Sequence, residues 1–246
     1  MKIIQVEDGA ELSKRAAALI IEKVRQKPTA VLGLATGSTP KGTYEELIKD
    51  HLQNGTSYAN VKTINLDEYV GLPSENPNSY HYFMRENLFD HLNFTKGNHF
   101  IPDGMSQHLD RACQAYEELI RSNPIDLQVL GIGQNGHIGF NEPGTPFDST
   151  THRVQLTRST RKANARFFDH FNEVPKEAIT MGISSILQSK EIILLASGVK
   201  KAEAINRLLK GALTITFPAS ALNKHDNVTI IADREALSYE LNPQHF

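Results

Sequence analysis

The sequence predicts an α/β protein, a doubly wound, mostly parallel sheet with helices on both faces. Short aliphatic runs near 30–35, 127–130, 191–196 and 228–232 have the length of buried strands. Between them lie segments whose apolar residues recur at three- and four-residue spacing, the mark of one buried helix face. The residues able to do chemistry cluster just after the strand ends, where open parallel sheets bind their ligands. The 246 residues contain no Pro/Gly/Ser linker or low-complexity tract, so the expectation is one domain spanning 1–246.

In chain order, residues 9–25 place Leu12, Ala16, Leu19, Ile20 and Val24 on one helical face, and Pro28 forces a new start. The strand at 30–35 empties into Thr36-Gly37-Ser38-Thr39-Pro40, followed by a helical pattern through Tyr44, Leu47, Ile48 and Leu52. A strand, a hydroxyl-rich turn and a helix N-terminus form an anion site, because unpaired amides and the positive end of the helix dipole converge there. The order Gly-Lys-Ser/Thr of a nucleotide phosphate loop is absent, since Lys41 precedes Gly42. A plain helix cap is the competing reading, but the turn holds more donors than capping needs.

Alternation over 61–66 predicts another strand, ending in Asp67-Glu68-Tyr69. Adjacent residues in extended chain point opposite ways, so at most one of the two carboxylates faces a pocket. Solvation of both, or capping of a turn by one, is equally compatible with the residues alone. Ser79 can cap a helix with Tyr82, Phe83 and Leu88 inward, and a helix over 107–121 buries Leu109, Cys113, Tyr116 and Ile120 before Asn123-Pro124 stops it.

The central strand then breaks at Gly131, Gly133 and Gly136 into a loop carrying His137 and Glu142. Gly131-x-Gly133-x-x-Gly136 imitates a dinucleotide fingerprint, yet Asn141-Glu142-Pro143-Gly144 follows, which breaks any helix opening there. Nicotinamide binding is therefore not expected. A short strand near 153–157 precedes a helix opening at Ser159, with Arg158, Arg161, Lys162 and Arg166 forming a cationic cluster. That cluster reads as a solvated face or as the counter-charge for a phosphate. A strand at 178–182 follows, and the one at 191–196 ends in Ser197-Gly198-Val199-Lys200-Lys201 before a helix with Ala204, Ile205, Leu208 and Leu209. The strand at 228–232 is the last, followed by a polar tail.

A formal charge of -2, spread along the chain, gives no surface for nucleic acid or anionic membrane. No apolar run is long enough to span a bilayer, and the first residues turn charged too soon for a signal peptide, so a cytoplasmic protein is expected. The single cysteine, Cys113, excludes an internal disulfide and a cysteine zinc site, and it reads as packing. His81, His91, His99 and His108 lack metal-ligand spacing.

Taken together, Thr36-Gly37-Ser38-Thr39-Pro40, Leu66-Asp67-Glu68-Tyr69-Val70-Gly71-Leu72, the run from Gly133 through Pro143, Thr160-Arg161 with Asn164-Ala165-Arg166-Phe167-Phe168, and Ser197-Gly198 with Lys201 resemble the glucosamine-6-phosphate deaminase family. The resemblance spans nearly the whole chain. It implies a Rossmann-like fold without a nucleotide, no cofactor and no metal. The implied reaction turns glucosamine 6-phosphate and water into fructose 6-phosphate and ammonia. By the same resemblance Asp67 carries a proton between C2 and C1, His137 moves protons during ring opening, and Glu142 holds and polarises that imidazole. Ser38, Thr39, Arg166 and Lys201 would grip the phosphate, and residues 156–176 would form a mobile lid.

Two departures from the family pattern stand out. Many relatives carry aspartate where this chain has Asn135, which keeps an acceptor but loses the charge, so Glu142 is expected to supply it alone. The basic residues of allosterically activated hexameric relatives are not reproduced by His152, Arg153, Val154 and Gln155, and the chain stops at Phe246. An unregulated monomer or weak homo-oligomer is expected. The rivals are a 6-phosphogluconolactonase-like hydrolase, which would not need Asp67, and a non-catalytic sugar-phosphate sensor, which would need a DNA-reading surface this chain lacks.

Overall fold

The computed structural model describes residues 1–241. In chain order its elements are β1 (Lys2–Val6), α1 (Gly9–Gln26), β2 (Val31–Leu34), α2 (Ser38–Asn54), β3 (Lys62–Asn65), β4 (Asp67–Tyr69), α3 (Tyr80–Asn87), β5 (His99–Phe100) and α4 (Leu109–Ser122). There follow β6 (Leu127–Gly131), β7 (His152–Gln155), α5 (Arg158–Asn164), β8 (Glu177–Thr180), α6 (Ile183–Leu187), β9 (Ile192–Ala196), α7 (Ala202–Lys210), β10 (Val228–Asp233) and α8 (Ser238–Leu241).

Seven strands make one sheet in the order β1-β10-β9-β6-β2-β3-β5, and every pair in it is parallel. Strand periodicity sorts its side chains between two cores. Ile192, Leu194 and Ala196 of β9 face one core with Tyr116 and Ile120 of α4 and Ile205 and Leu208 of α7. Ile193 and Leu195 face the other, with Leu12, Ala16 and Ile20 of α1, Tyr44 and Leu47 of α2, and Met84 of α3. Both faces of the sheet are thus covered, which is why its strands read as unbroken apolar runs.

Local signals end the helices where the sequence places them. Asp8 accepts the Glu11 amide at 2.8 Å to start α1, Ser79 accepts the Tyr82 amide at 3.0 Å to start α3, and Gly55 closes α2 at φ 71°.

The arrangement departs from expectation in several places. The chain does not run straight from β3 into Asp67 but changes sheets at Leu66. The Leu66 amide bonds Leu34 O of β2 at 3.0 Å, and its carbonyl accepts the Met181 amide at 2.7 Å. Beyond it β4, β8 and β7 form a separate antiparallel sheet in the order β4-β8-β7. The opening residues form β1, an edge strand whose exposed side chains leave no apolar run to read. Met84 of α3 and Leu88 just beyond its end are buried, whereas Tyr82 and Phe83 are only half-buried, as is Leu109 at the start of α4. The presumed polar tail buries Ala236 and Leu237; its last residues, 242–246, lie outside the described ones. Cys113 is buried, as packing requires. Among the described residues no helix is long and apolar enough to cross a membrane.

The chain leaving β2 enters β3 on one side, whereas the chain leaving β6 passes through β7 and β8 of the antiparallel sheet before it re-enters the large sheet at β9 on the other. Adjacent parallel strands whose connections diverge leave a crevice beyond their carboxyl ends. The turn at residues 36–39 and the loop after Gly131 therefore open side by side.

Candidate active site

The loop after β6 is shaped by glycines at points of close approach. A Cβ on Gly133 would stand 2.3 Å from His137 Nδ1, and one on Gly136, whose φ is 83°, would meet the Phe217 ring at 2.1 Å. The Gly133 amide bonds His137 O at 2.9 Å and the Gly136 amide bonds Gly133 O at 3.0 Å. The chain turns back on itself here, and no helix opens at Gly136 as a dinucleotide site would need.

This turn holds His137 half-buried, with Nδ1 2.7 Å from Asn135 Oδ1. Asn135 Nδ2 in turn donates to Glu142 Oε2 at 2.8 Å. A carboxylate only accepts, so Asn135 must turn its NH2 to Glu142 and its oxygen to the imidazole. Nδ1 of His137 therefore carries the hydrogen, and Nε2 is left with the lone pair. Asn135, expected only to keep an acceptor where the charge is lost, is the piece that sets the tautomer.

Glu142 is buried and lies 3.9 Å from His137 Nδ1, so it reaches the imidazole through the amide rather than by a hydrogen bond of its own. Its charge still acts at that range, since opposite unit charges 4 Å apart interact by about 4 kcal/mol at an effective dielectric near 20. Burial holds the His137 pKa below its ordinary 6.5; Glu142 pulls it up and Lys201 pushes it down. The ring is neutral at neutral pH and ready to accept a proton at Nε2.

Asp67, at the start of β4, is also buried, and burial together with the neighbouring Glu68 charge raises its pKa to about 8. Glu68 has the other fate. Its carboxylate accepts the Tyr69, Tyr80 and His81 amides at 2.8, 3.0 and 2.9 Å and meets His81 Nδ1 at 2.8 Å, so it anchors the start of α3. Of the two adjacent acids one is consumed by structure, and the one left without amides is Asp67. A Cβ on Gly139, two residues beyond His137, would stand 3.5 Å from Asp67 Oδ2. The carboxylate thus abuts the imidazole's own loop, within about 7 Å of chain. Tyr69, Tyr80 and Phe140 line the same corner, the last two stacked at 6.2 Å.

The cationic side is built from the later turns. Lys201 Nζ donates to Ile132 O at 2.6 Å, at the mouth of the loop after β6. Burial lowers the Lys201 pKa, and the charge of the Arg166 guanidinium lowers it further. Arg161 is spent elsewhere: it donates to Val174 O at 2.8 Å and Phe171 O at 3.3 Å, bracing the segment that carries it. At the β2 end, Ser38 and Thr39 open α2, whose N-cap Gly37 offers no side-chain bond and whose first turn holds no acid. The amide donors of that turn are unspent by capping. The turn at Ser197-Gly198 is held by Asp233, which accepts from Ser197 Oγ at 2.5 Å and from the Gly198 amide at 3.0 Å.

Sequence reasoning assigned no role to Thr157, Thr160, Asp233 or the Ile132 carbonyl. Only the first carries a local signal, as an N-cap residue before a helical run. Among the described residues no cluster of His, Cys, Asp and Glu could hold a metal ion.

A family model described as glucosamine-6-phosphate isomerases/6-phosphogluconolactonase matches residues 7–231. The glucosamine-6-phosphate deaminase of Geobacillus sp. (strain WCH70) is 55% identical over 239 residues, covering 97% of this chain and 95% of the relative. Glucosamine-6-phosphate deaminase 1 of Bacillus subtilis (strain 168) is 52% identical over 239 residues, covering 97% and 99%. A solved structure described as a monomeric glucosamine-6-phosphate deaminase superposes with a TM-score of 0.95 at 51% identity, covering 97% of this chain and 99% of the other. The 6-phosphogluconolactonase of Trypanosoma brucei, with a TM-score of 0.80 at 20% identity, covering 96% and 97%, shares the fold.

Proposed function

Because this chain belongs to the glucosamine-6-phosphate isomerase/6-phosphogluconolactonase family, we propose that it converts glucosamine 6-phosphate and water to fructose 6-phosphate and ammonia, as an enzyme of amino-sugar breakdown in the cytoplasm. The observation that carries this reading over lactone hydrolysis is Asp67, a buried carboxylate with a pKa near 8 set against the loop of a neutral imidazole. Lactone hydrolysis has no carbon-bound proton to move, whereas aldose-to-ketose conversion does.

The steps match the groups. His137 Nε2 takes the anomeric hydroxyl proton and returns a proton to the ring oxygen, opening the sugar to its aldehyde. The imidazolium formed meanwhile is supported by Glu142 through Asn135. Asp67 then removes the proton on C2 and delivers it to C1. A base works best with a pKa near the working pH, and burial has brought this carboxylate there. The substrate's ammonium on C2 supplies the counter-charge that burial withholds from Asp67. Water adds to the resulting C2 imine, and ammonia leaves. Lys201, Arg166 and the Ser38-Thr39 turn hold the phosphate. Residues 156–176 act as a lid, since α5 and Phe168 lie against the site, the latter 6.1 Å from Tyr69. The reaction asks for no metal and no cofactor.

Ammonia release from glucosamine 6-phosphate, with no hydrolysis of 6-phosphogluconolactone, is the expected result; the opposite pattern would overturn the reading. The enzyme acts as a monomer or weak homo-oligomer with hyperbolic kinetics. Sigmoidal rates made hyperbolic by N-acetylglucosamine 6-phosphate, or a hexamer by sedimentation, would contradict that.

A further inference from the structure

Glu142 is held from two sides. Its backbone is pinned independently, the carbonyl accepting from the Thr145 amide at 3.0 Å and the Thr145 hydroxyl at 2.7 Å. The rotation of its carboxylate is fixed separately, by side-chain donors. Oε2 receives Asn135, and Oε1 receives the hydroxyl of Thr160, itself buried on α5. Thr157, the N-cap of α5, stands behind: its Oγ1 lies 3.0 Å from Thr160 Oγ1 and 3.4 Å from Glu142 Oε1, and it accepts the Thr160 amide at 3.2 Å. One hydrogen-bonded chain therefore runs from the N-terminus of α5 through Thr160, Glu142 and Asn135 to His137.

Resting on the deaminase reading above, we propose that Thr160 is a positioning residue of the reaction, through which seating of the 156–176 segment orients Glu142 and so completes the relay to His137. A single donor on Oε2 leaves a carboxylate free to swing about its terminal torsion, which is broad for glutamate. The second donor, on the opposite oxygen, removes that freedom. With α5 displaced, Oε1 loses its partner and Asn135 loses a fixed acceptor, so the imidazole's tautomer is no longer dictated. With α5 seated over a substrate, the relay is whole. Chemistry is thereby coupled to closure by one hydroxyl, which itself touches no substrate.

The test is steady-state ammonia release from glucosamine 6-phosphate by the full chain and its variants Thr160→Val, Thr160→Ser, Glu142→Gln and the Thr160→Val/Glu142→Gln double variant. Loss of one hydrogen bond to a charged group predicts kcat for T160V lower by about tenfold with KM within about twofold of wild type. T160S, which restores the hydroxyl, recovers most of the rate. In the E142Q background T160V costs nothing further, because residues acting as one unit are not additive. Wild-type kcat in T160V, failure of T160S to rescue, or losses that multiply in the double variant would each overturn the proposal. Should T160V fail to fold, T160A carries the same expectations. A wild-type chain that releases no ammonia would overturn the deaminase reading first and this inference with it, whereas an active wild type with an indifferent Thr160 sinks the inference alone.

Discussion

Replacing Asp67 with asparagine should cost the protein its activity and give it stability. The side chains are nearly isosteric, so the change removes a charge rather than a shape. The Asp67 pKa is raised from 3.8 to about 8 in the fold. Between those values the folded protein holds a proton that the unfolded chain has released, so stability falls as pH rises through that window. At about 1.4 kcal/mol per pH unit, the whole window of about four units amounts to roughly 6 kcal/mol. Asparagine does not titrate and escapes this cost. Urea unfolding of wild type and D67N should show the variant's advantage growing by roughly 4 kcal/mol from pH 5 to pH 8.5. Over the same range ammonia release by D67N should be lower by about a hundred- to ten-thousand-fold, the usual contribution of a positioned base. A D67N protein no more stable than wild type at pH 8.5 would refute the account of Asp67 as a carboxylate held in the crevice against its own solvation. Retained activity would refute its role as the base.

Other perturbations separate the remaining parts of the site. Glu142→Gln removes the charge that draws the His137 pKa upward against burial and Lys201; the acid limb of kcat/KM should move to lower pH while the rate drops at least about tenfold, and an unchanged rate and profile would exclude Glu142 from the relay. Lys201→Met should raise KM for glucosamine 6-phosphate by about tenfold or more with a smaller effect on kcat, and should equally weaken inhibition by inorganic phosphate. Unaltered phosphate inhibition would remove Lys201 from the phosphate site. Gly133→Ala drives a Cβ to within 2.3 Å of the His137 ring; ammonia release should collapse while phosphate still protects the protein against thermal unfolding, and a fully active variant would show that the imidazole is not seated as described.

Much of this fold is legible along the chain. The central strands of the large sheet are buried on both faces and therefore read as aliphatic runs, and their helices carry one apolar stripe each. The loops of the candidate site are legible for a related reason: glycine, hydroxyl and charged residues concentrate where the backbone must approach a ligand, and they stand out against apolar strands. β1 and β5 escape because one is a half-exposed edge and the other only two residues long. The antiparallel sheet escapes because β4 is the triplet Asp-Glu-Tyr, whose strand character comes from pairing with β8, more than a hundred residues later in the chain.

The sequence by itself determined the layered α/β architecture, the family and the loops of the candidate site, since those follow from local periodicity and from residue types that no neighbour can change. The family resemblance singled out Asp67, but the residues alone gave no physical ground for choosing it over Glu68, an adjacent acid of nearly equal intrinsic chemistry. That ground was supplied by the start of α3, which gives its amides to Glu68 and leaves Asp67 in a dry corner. Nor could spacing show that Thr160 meets Glu142 or that Asn135 stands between Glu142 and His137. Hydrogen bonds act over about 3 Å of space whatever the separation along the chain, so only the folding of one loop against another decided which hydroxyl, amide and imidazole share one hydrogen-bonded chain.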